Sequence, residues 1–185
     1  MKNIVDKILY LATLKSTIFV AIDGMPGGGK STLTKYILHK IPAIKLVKMD
    51  SFFDPSTNND DFKRLKEECL IPLKNNKIAT FKVYSWKEHK LVDGEPIKPG
   101  GIILVEGISS MEKDFIDFYD YKIWVDCPPE VGLERVLTRD KAKYRELWIN
   151  KWIPETVKYI EEQKPYKKAD LIISYKDIPK FNSSD

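Results

Sequence analysis

An unbroken β-branched and aromatic run, Thr17 to Ile22, ends in Asp23 and is followed at once by Gly24-Met-Pro-Gly-Gly-Gly-Lys-Ser31. This junction constrains the chain more than any other feature. Its four glycines cannot sit together inside a helix or strand, because each loses more backbone freedom on ordering than any other residue. They suit a loop whose successive N–H groups converge on one anion. Beyond it, Leu33, Ile37 and Ile41 recur at helical spacing until Pro42 stops the pattern. The order is strand, glycine-rich loop, helix, and the helix N-terminus adds its partial positive charge to the loop.

All eight residues fit G-x-x-x-x-G-K-[ST]. The pattern implies a phosphate cradle in which Gly24, Pro26, Gly27, Gly28, Gly29, Lys30, Ser31 and Thr32 surround a nucleoside triphosphate such as ATP. Lys30 then reaches the β- and γ-phosphates and Ser31 holds Mg²⁺. A plain glycine-rich turn is the alternative, and the position between strand and helix argues against it.

Four more apolar runs read as strands: Ile44 to Met49, Ile102 to Val105, Tyr121 to Val125 and Leu171 to Ser174. Helical spacing appears from Asn3 to Leu14, from Asp60 to Leu73, after Pro129, and around Trp148 to Ile160, where Pro154 predicts either a kink or two helices. Between Ile78 and Lys98 the pattern alternates, with turn markers at Asp93-Gly94, Pro96 and Pro99, which predicts an excursion of one or two β-hairpins. Five apolar strands interleaved with helices, without in/out alternation, predict an α/β fold of three layers: a central parallel sheet covered by helices on both faces.

At 185 residues, 43% hydrophobic and 31% charged, the chain reads as one folded domain over 1–185. Cys69 and Cys127 show neither zinc nor disulfide spacing. The N-terminal MKNIVDKILYLATLK is interrupted by Asp6 and Lys7, so neither a membrane span nor a signal segment is expected. A cytoplasmic protein without a membrane partner is the expectation.

The formal net charge is +4, and its location says more than its size. Arg135, Arg139, Lys141, Lys143, Arg145 and Lys151 face only Asp140 and Glu146 in the same stretch, an excess equal to that of the whole chain. Arg135 and Arg139, spaced i, i+4, share a helix face and are candidates to close over phosphates, the segment 135–151 acting as a basic lid; a solvated basic face is the alternative. Nucleic acid is not the expected partner, since no basic and aromatic interleaving accompanies the charge.

Asp50 and Glu106 each follow a strand, at the edge of a parallel sheet where ligands collect. One acid could take a proton from an acceptor hydroxyl while the other orders Mg²⁺, and on residue type alone the roles can be exchanged. Either one alone could equally be a solvated strand end.

Taken together, these pieces resemble the uridine/cytidine kinase family of P-loop nucleoside kinases, related to phosphoribulokinase and pantothenate kinase. The resemblance runs from Ile18 to Ser174 and rests on IDGMPGGGKST, Met49-Asp50-Ser51-Phe52-Phe53, Val83-Tyr84, Val105-Glu106-Gly107, Arg135 to Asp140 and Ala169-Asp170-Leu-Ile-Ile. It implies a kinase that uses ATP and Mg²⁺, with Asp50 as the base toward a ribose 5′-hydroxyl, Glu106 and Ser31 at the metal, and Tyr84 and His89 against the nucleoside base. Two stretches depart from it. Thr57-Asn-Asn-Asp-Asp61 stands in the region where the family has a ribose-gripping Asp and His-Pro-Asp, with Asp54, Asp60 or Asp61 as candidate substitutes, none of them aligned with it. After Arg139-Asp140 the family's Glu-Arg-Gly-Arg is absent, with Lys143 and Arg145 at shifted positions. Other readings are a kinase for nicotinamide riboside, pantothenate or a sugar phosphate, and a regulatory module that binds ATP without transfer. Assembly into a homo-oligomer stays open.

Overall fold

A computed structural model of the chain describes residues 1–52, 61–85, 87–140 and 144–178. Phe53, Asp54, Asp60, Lys141 and Lys143, and the side chain of Asp61, lie outside the described residues.

Strand β1 (Thr17–Gly24) is buried from Ile18 onward, which requires cover on both faces. Phe19 and Ala21 join one apolar cluster with Val47, Phe52, Leu65, Leu70, Ile103 and Val105. Ile18, Val20 and Ile22 join the other, with Leu33 and Ile37 of helix α2 (Lys30–Lys40) and Ile4 and Ile8 of helix α1 (Lys2–Leu14). Each such aliphatic side chain taken wholly out of water contributes about 1.5–3 kcal/mol. The layers follow from this split.

With β2 (Lys45–Lys48), β5 (Gly101–Glu106), β6 (Tyr121–Asp126) and β7 (Leu171–Ser174), β1 forms a five-stranded parallel sheet in the order β2-β5-β1-β6-β7. Glu106 is in register with Ile22 on one side and Lys48 on the other. The ends of β1, β5 and β2 therefore reach the same edge together, and Asp23, Glu106 and Asp50 emerge there side by side.

Residues 61–74 form one helical run: α3 (Asp61–Arg64), a π-helical segment (Leu65–Leu70) and α4 (Ile71–Lys74). β3 (Lys82–Ser85) and β4 (Lys90–Asp93) make one antiparallel hairpin, with an isolated bridge between Ala79 and Ile97. The reversal comes before β4, at a turn where His89 takes φ +52; Asp93-Gly94 only ends β4.

After α5 (Pro129–Asp140), the run 145–163 comprises α6 (Arg145–Leu147), a π-helical segment (Trp148–Trp152) and α7 (Ile153–Gln163). Pro154 thus neither breaks the run nor splits it. It sits two residues past a π-helical segment, as Pro72 does in the earlier helix. A proline removes one N–H and crowds the carbonyl of the preceding turn, and a wider turn just before it relieves both. The Thr156 hydroxyl donates to Trp152 O at 2.7 Å, satisfying one carbonyl near the junction.

Both cysteines are free and buried, and burial pushes the Cys69 thiol up to about 12 and raises that of Cys127. No helix among the described residues is long and apolar enough to cross a membrane.

Candidate active site

The loop between β1 and α2 folds as its glycines allow. Gly27 and Gly29 take φ +70 and +99, values at which a side chain is strained. A Cβ on Gly27 would also run into Gly132 O, and one on Gly132 into Pro26 O, so the loop rests directly on the first turns of α5. The N–H groups of Lys30 and Ser31, in the first helical turn, have no intrahelical acceptors by construction.

Lys30 is 7% exposed, and its ammonium donates to Gly24 O at 2.8 Å and Met25 O at 2.9 Å. No described carboxylate lies within ion-pair distance of it. Burial lowers its pKa, while the fields of Asp23, Glu106 and Asp50 oppose that shift. A buried cation held only by carbonyls is costly to keep and is electrostatically complementary to an incoming anion.

Ser31 Oγ donates to Glu106 Oε1 at 3.2 Å. Burial raises the Glu106 pKa, Asp50 adds to the rise, and Lys30 opposes it. Gly107, at φ +148, lets the chain pass close to Met49: a Cβ there would lie 2.5 Å from Met49 Cβ. This close passage brings the short 3₁₀ turn Met49–Ser51, which carries Asp50, against the end of β5.

Arg135 donates to Gly27 O at 3.2 Å and lies over the Tyr175 ring at 4.7 Å. Arg139 is gripped by both oxygens of Asp140, at 2.6 and 2.9 Å, and Asp140 also accepts from Trp148 Nε1 at 2.8 Å. Those contacts lower the Asp140 pKa, the Arg139 bond foremost.

These groups border a cavity of about 1380 Å³. Pro26, Gly27, Gly29, Lys30, Ser31, Thr32, Asp50, Glu106, Arg135 and Arg139 all line it. Gly24 and Gly28 lie behind the loop, Gly24 against Val125 and Gly28 against Cys127. Of the described basic residues of the run, Arg135 and Arg139 line the cavity and Arg145 and Lys151 do not. Tyr84 and His89 stand on the hairpin, also outside the lining. Phe62, Lys66, Ile108, Glu112 and Phe115 line another part of the cavity, beside α7, whose Gln163 amide donates to Glu112 Oε1 at 3.1 Å.

Sequence reasoning passed over Asp23. Its carboxylate is wholly buried and accepts from Gly24 N at 2.6 Å, Met111 N at 2.9 Å and the Tyr159 hydroxyl at 2.7 Å. Burial raises its pKa, and Lys30 is the largest opposing influence.

A parallel sheet with a glycine-rich loop and buried lysine at its carboxyl edge defines a P-loop nucleotide-binding fold. The model of the phosphoribulokinase/uridine kinase family matches residues 45–179, and the chain belongs to that family. That match begins past the loop, so the loop and the family are independent observations. The chain is 29% identical over 185 residues to uridine kinase of Staphylococcus aureus (strain JH9), covering 86% of this chain and 88% of that one. It is 28% identical over 192 residues to uridine kinase of Saccharomyces cerevisiae, covering 89% of this chain but only 38% of the yeast protein's length. A solved structure described as a possible uridine kinase, from Bacillus stearothermophilus, shares the fold with a TM-score of 0.63 at 17% identity, covering 92% of this chain and 99% of that one.

Proposed function

We propose that the protein transfers the γ-phosphoryl group of ATP, with Mg²⁺, to the 5′-hydroxyl of a nucleoside, uridine or cytidine. The observation that carries this reading is Lys30, a buried ammonium bound to carbonyls alone, facing a cavity that Asp50 also lines. Triphosphate oxygens supply the negative charge the lysine lacks, and an acceptor-facing acid is what transfer needs and mere binding does not. The relatives named uridine kinase support a nucleoside as the acceptor.

In the reaction, Asp50 accepts the proton of the 5′-hydroxyl as its oxygen bonds to the γ-phosphorus. The bond from that phosphorus to the β,γ-bridging oxygen breaks, and ADP leaves. Lys30 stays on the β- and γ-oxygens throughout. Arg135 is already fixed to the loop through Gly27 O. Arg139 exchanges one arm of its Asp140 pair for an equatorial oxygen, one charge-assisted bond for another. The Ser31 hydroxyl and Glu106 carboxylate are hard oxygen donors that suit Mg²⁺, which takes few protein ligands beside phosphate and would there neutralise phosphate charge.

An acceptor panel tests the proposal: ADP release with ATP and Mg²⁺ in the presence of uridine, cytidine, nicotinamide riboside, pantothenate or a sugar phosphate. Release that requires a pyrimidine nucleoside is expected. Because Tyr84 and His89 lie outside the cavity lining, the panel keeps the other acceptors, and turnover with one of them alone would reassign the substrate. ATP binding without turnover on any acceptor would make the protein a regulatory module.

A further inference from the structure

Asp23 does nothing in the transfer outlined above, yet it is the most heavily bonded side chain near the loop. Of its three donors, Gly24 is the next residue, where β1 runs into the loop, Met111 sits in the turn after β5, and Tyr159 projects from α7. The same turn is tied to β1 twice more, by Gly107 N and Ser110 Oγ, both donating to Ile22 O. Gly24 is therefore pinned on one side by Asp23, while its carbonyl receives the Lys30 ammonium on the other.

We propose that Asp23 and Tyr159 form a latch that holds the loop in its phosphate-ready shape and couples it to α7, making Tyr159 a positioning residue for nucleotide binding. The inference rests on the reading of the loop as a nucleotide site. Its logic is geometric. Lys30 is placed by two loop carbonyls, the first of those residues is placed by Asp23, and Asp23 is held by a direct hydrogen bond from Tyr159. α7 also lines the cavity through Glu155, Thr156 and Gln163, so whatever moves that helix is felt at Gly24. Tyr159 is itself buried at 8% exposure, and its hydroxyl has this one bond among the described residues. Tyr119, whose buried hydroxyl has no partner in the described structure, and Lys30 are the other titratable groups in the field of Asp23.

Tyr159→Phe removes the hydroxyl alone and leaves Asp23 its two backbone donors. Calorimetry with a non-hydrolysable ATP analogue and Mg²⁺ is expected to show about tenfold weaker binding, the scale of one hydrogen bond to a charged group. The KM for ATP should rise in step, with kcat within about twofold, the pattern for lost uniform binding. Asp23→Asn should weaken binding further, and the double variant should fall short of the summed effects, as two members of one contact do. A lower melting temperature with unchanged analogue affinity in Tyr159→Phe would reduce the contact to a structural one and overturn the proposal.

Amide hydrogen exchange on the unaltered protein provides a readout independent of any variant's folding. The Gly24 and Met111 amides should gain protection when the analogue binds, and unchanged exchange at both would contradict the latch. If the unaltered protein does not bind the analogue at all, it is the nucleotide reading that fails.

Discussion

Ser31 Oγ donates a hydrogen bond of 3.2 Å to Glu106 Oε1, joining the first turn of α2 to the end of β5. The pair sets two oxygen donors at one spot, which would suit a hydrated divalent cation. Ser31→Ala removes one of those donors without disturbing the sheet. The Mg²⁺ concentration for half-maximal ADP release should rise by about tenfold or more, the scale on which groups around a metal site act. A Mg²⁺ titration of initial rates checks it.

Lys30 is a desolvated ammonium bound by carbonyls alone, and its field is the largest influence that offsets the burial of Asp23. Removing one of two buried opposite charges leaves the other uncompensated. Lys30→Met should therefore melt below the wild-type temperature and also lose affinity for an ATP analogue by about tenfold to a hundredfold. Thermal melting and calorimetry on the same sample separate the two effects.

Gly132 lies inside α5, where alanine is ordinarily the better helix former by about 1 kcal/mol. Here a Cβ would collide with Pro26 O, a backbone atom of the loop. Gly132→Ala should therefore destabilise, by about 1–3 kcal/mol as overpacking does, and weaken nucleotide binding as the loop shifts. Urea unfolding and analogue titration check both.

Glu112 gives a pH dependence. Burial raises its carboxyl above the ordinary 4.5, against the opposing hydrogen bond from Gln163. Between 4.5 and that raised value the folded protein keeps a proton the unfolded chain has released, so its contribution to stability falls as pH rises through the window. Glu112→Gln removes the penalty. The variant should melt above wild type at neutral pH, and the gap should close as pH is lowered to 4.5; melting curves across that range test it.

What was legible in the sequence was local or periodic. The loop was readable because eight consecutive residues encode it, and the parallel sheet because strands covered on both faces lack alternation. Asp50 and Glu106 were readable as acids ending such strands, though only the register of Glu106 against Lys48 and Ile22 shows how closely they are brought together. The partners of Asp23 were not legible: Met111 is 88 residues away and Tyr159 is 136, and neither carries a local mark. Gly132 carries no local mark either, since its reason lies in the loop it touches. Pro154 allowed a kink or two helices, and no proline rule specifies the π-helical segment that precedes it in one continuous run. The basic run from Arg135 to Lys151 is legible because charge can be counted along a sequence, whereas the pairing of Arg139 with Asp140 shows only in the structure.

In the proposed reaction Asp50 takes the proton from a nucleoside hydroxyl during phosphoryl transfer from ATP. The direct test is uridine-dependent ADP release by the wild type and by Asp50→Asn, with formation of the 5′-monophosphate followed by phosphorus NMR. Turnover is expected only when nucleoside is present, with a loss of about 10²–10⁴-fold in kcat for the variant at unchanged ATP affinity, as for a general base. A folded Asp50→Asn protein that phosphorylates uridine at the wild-type rate would contradict it.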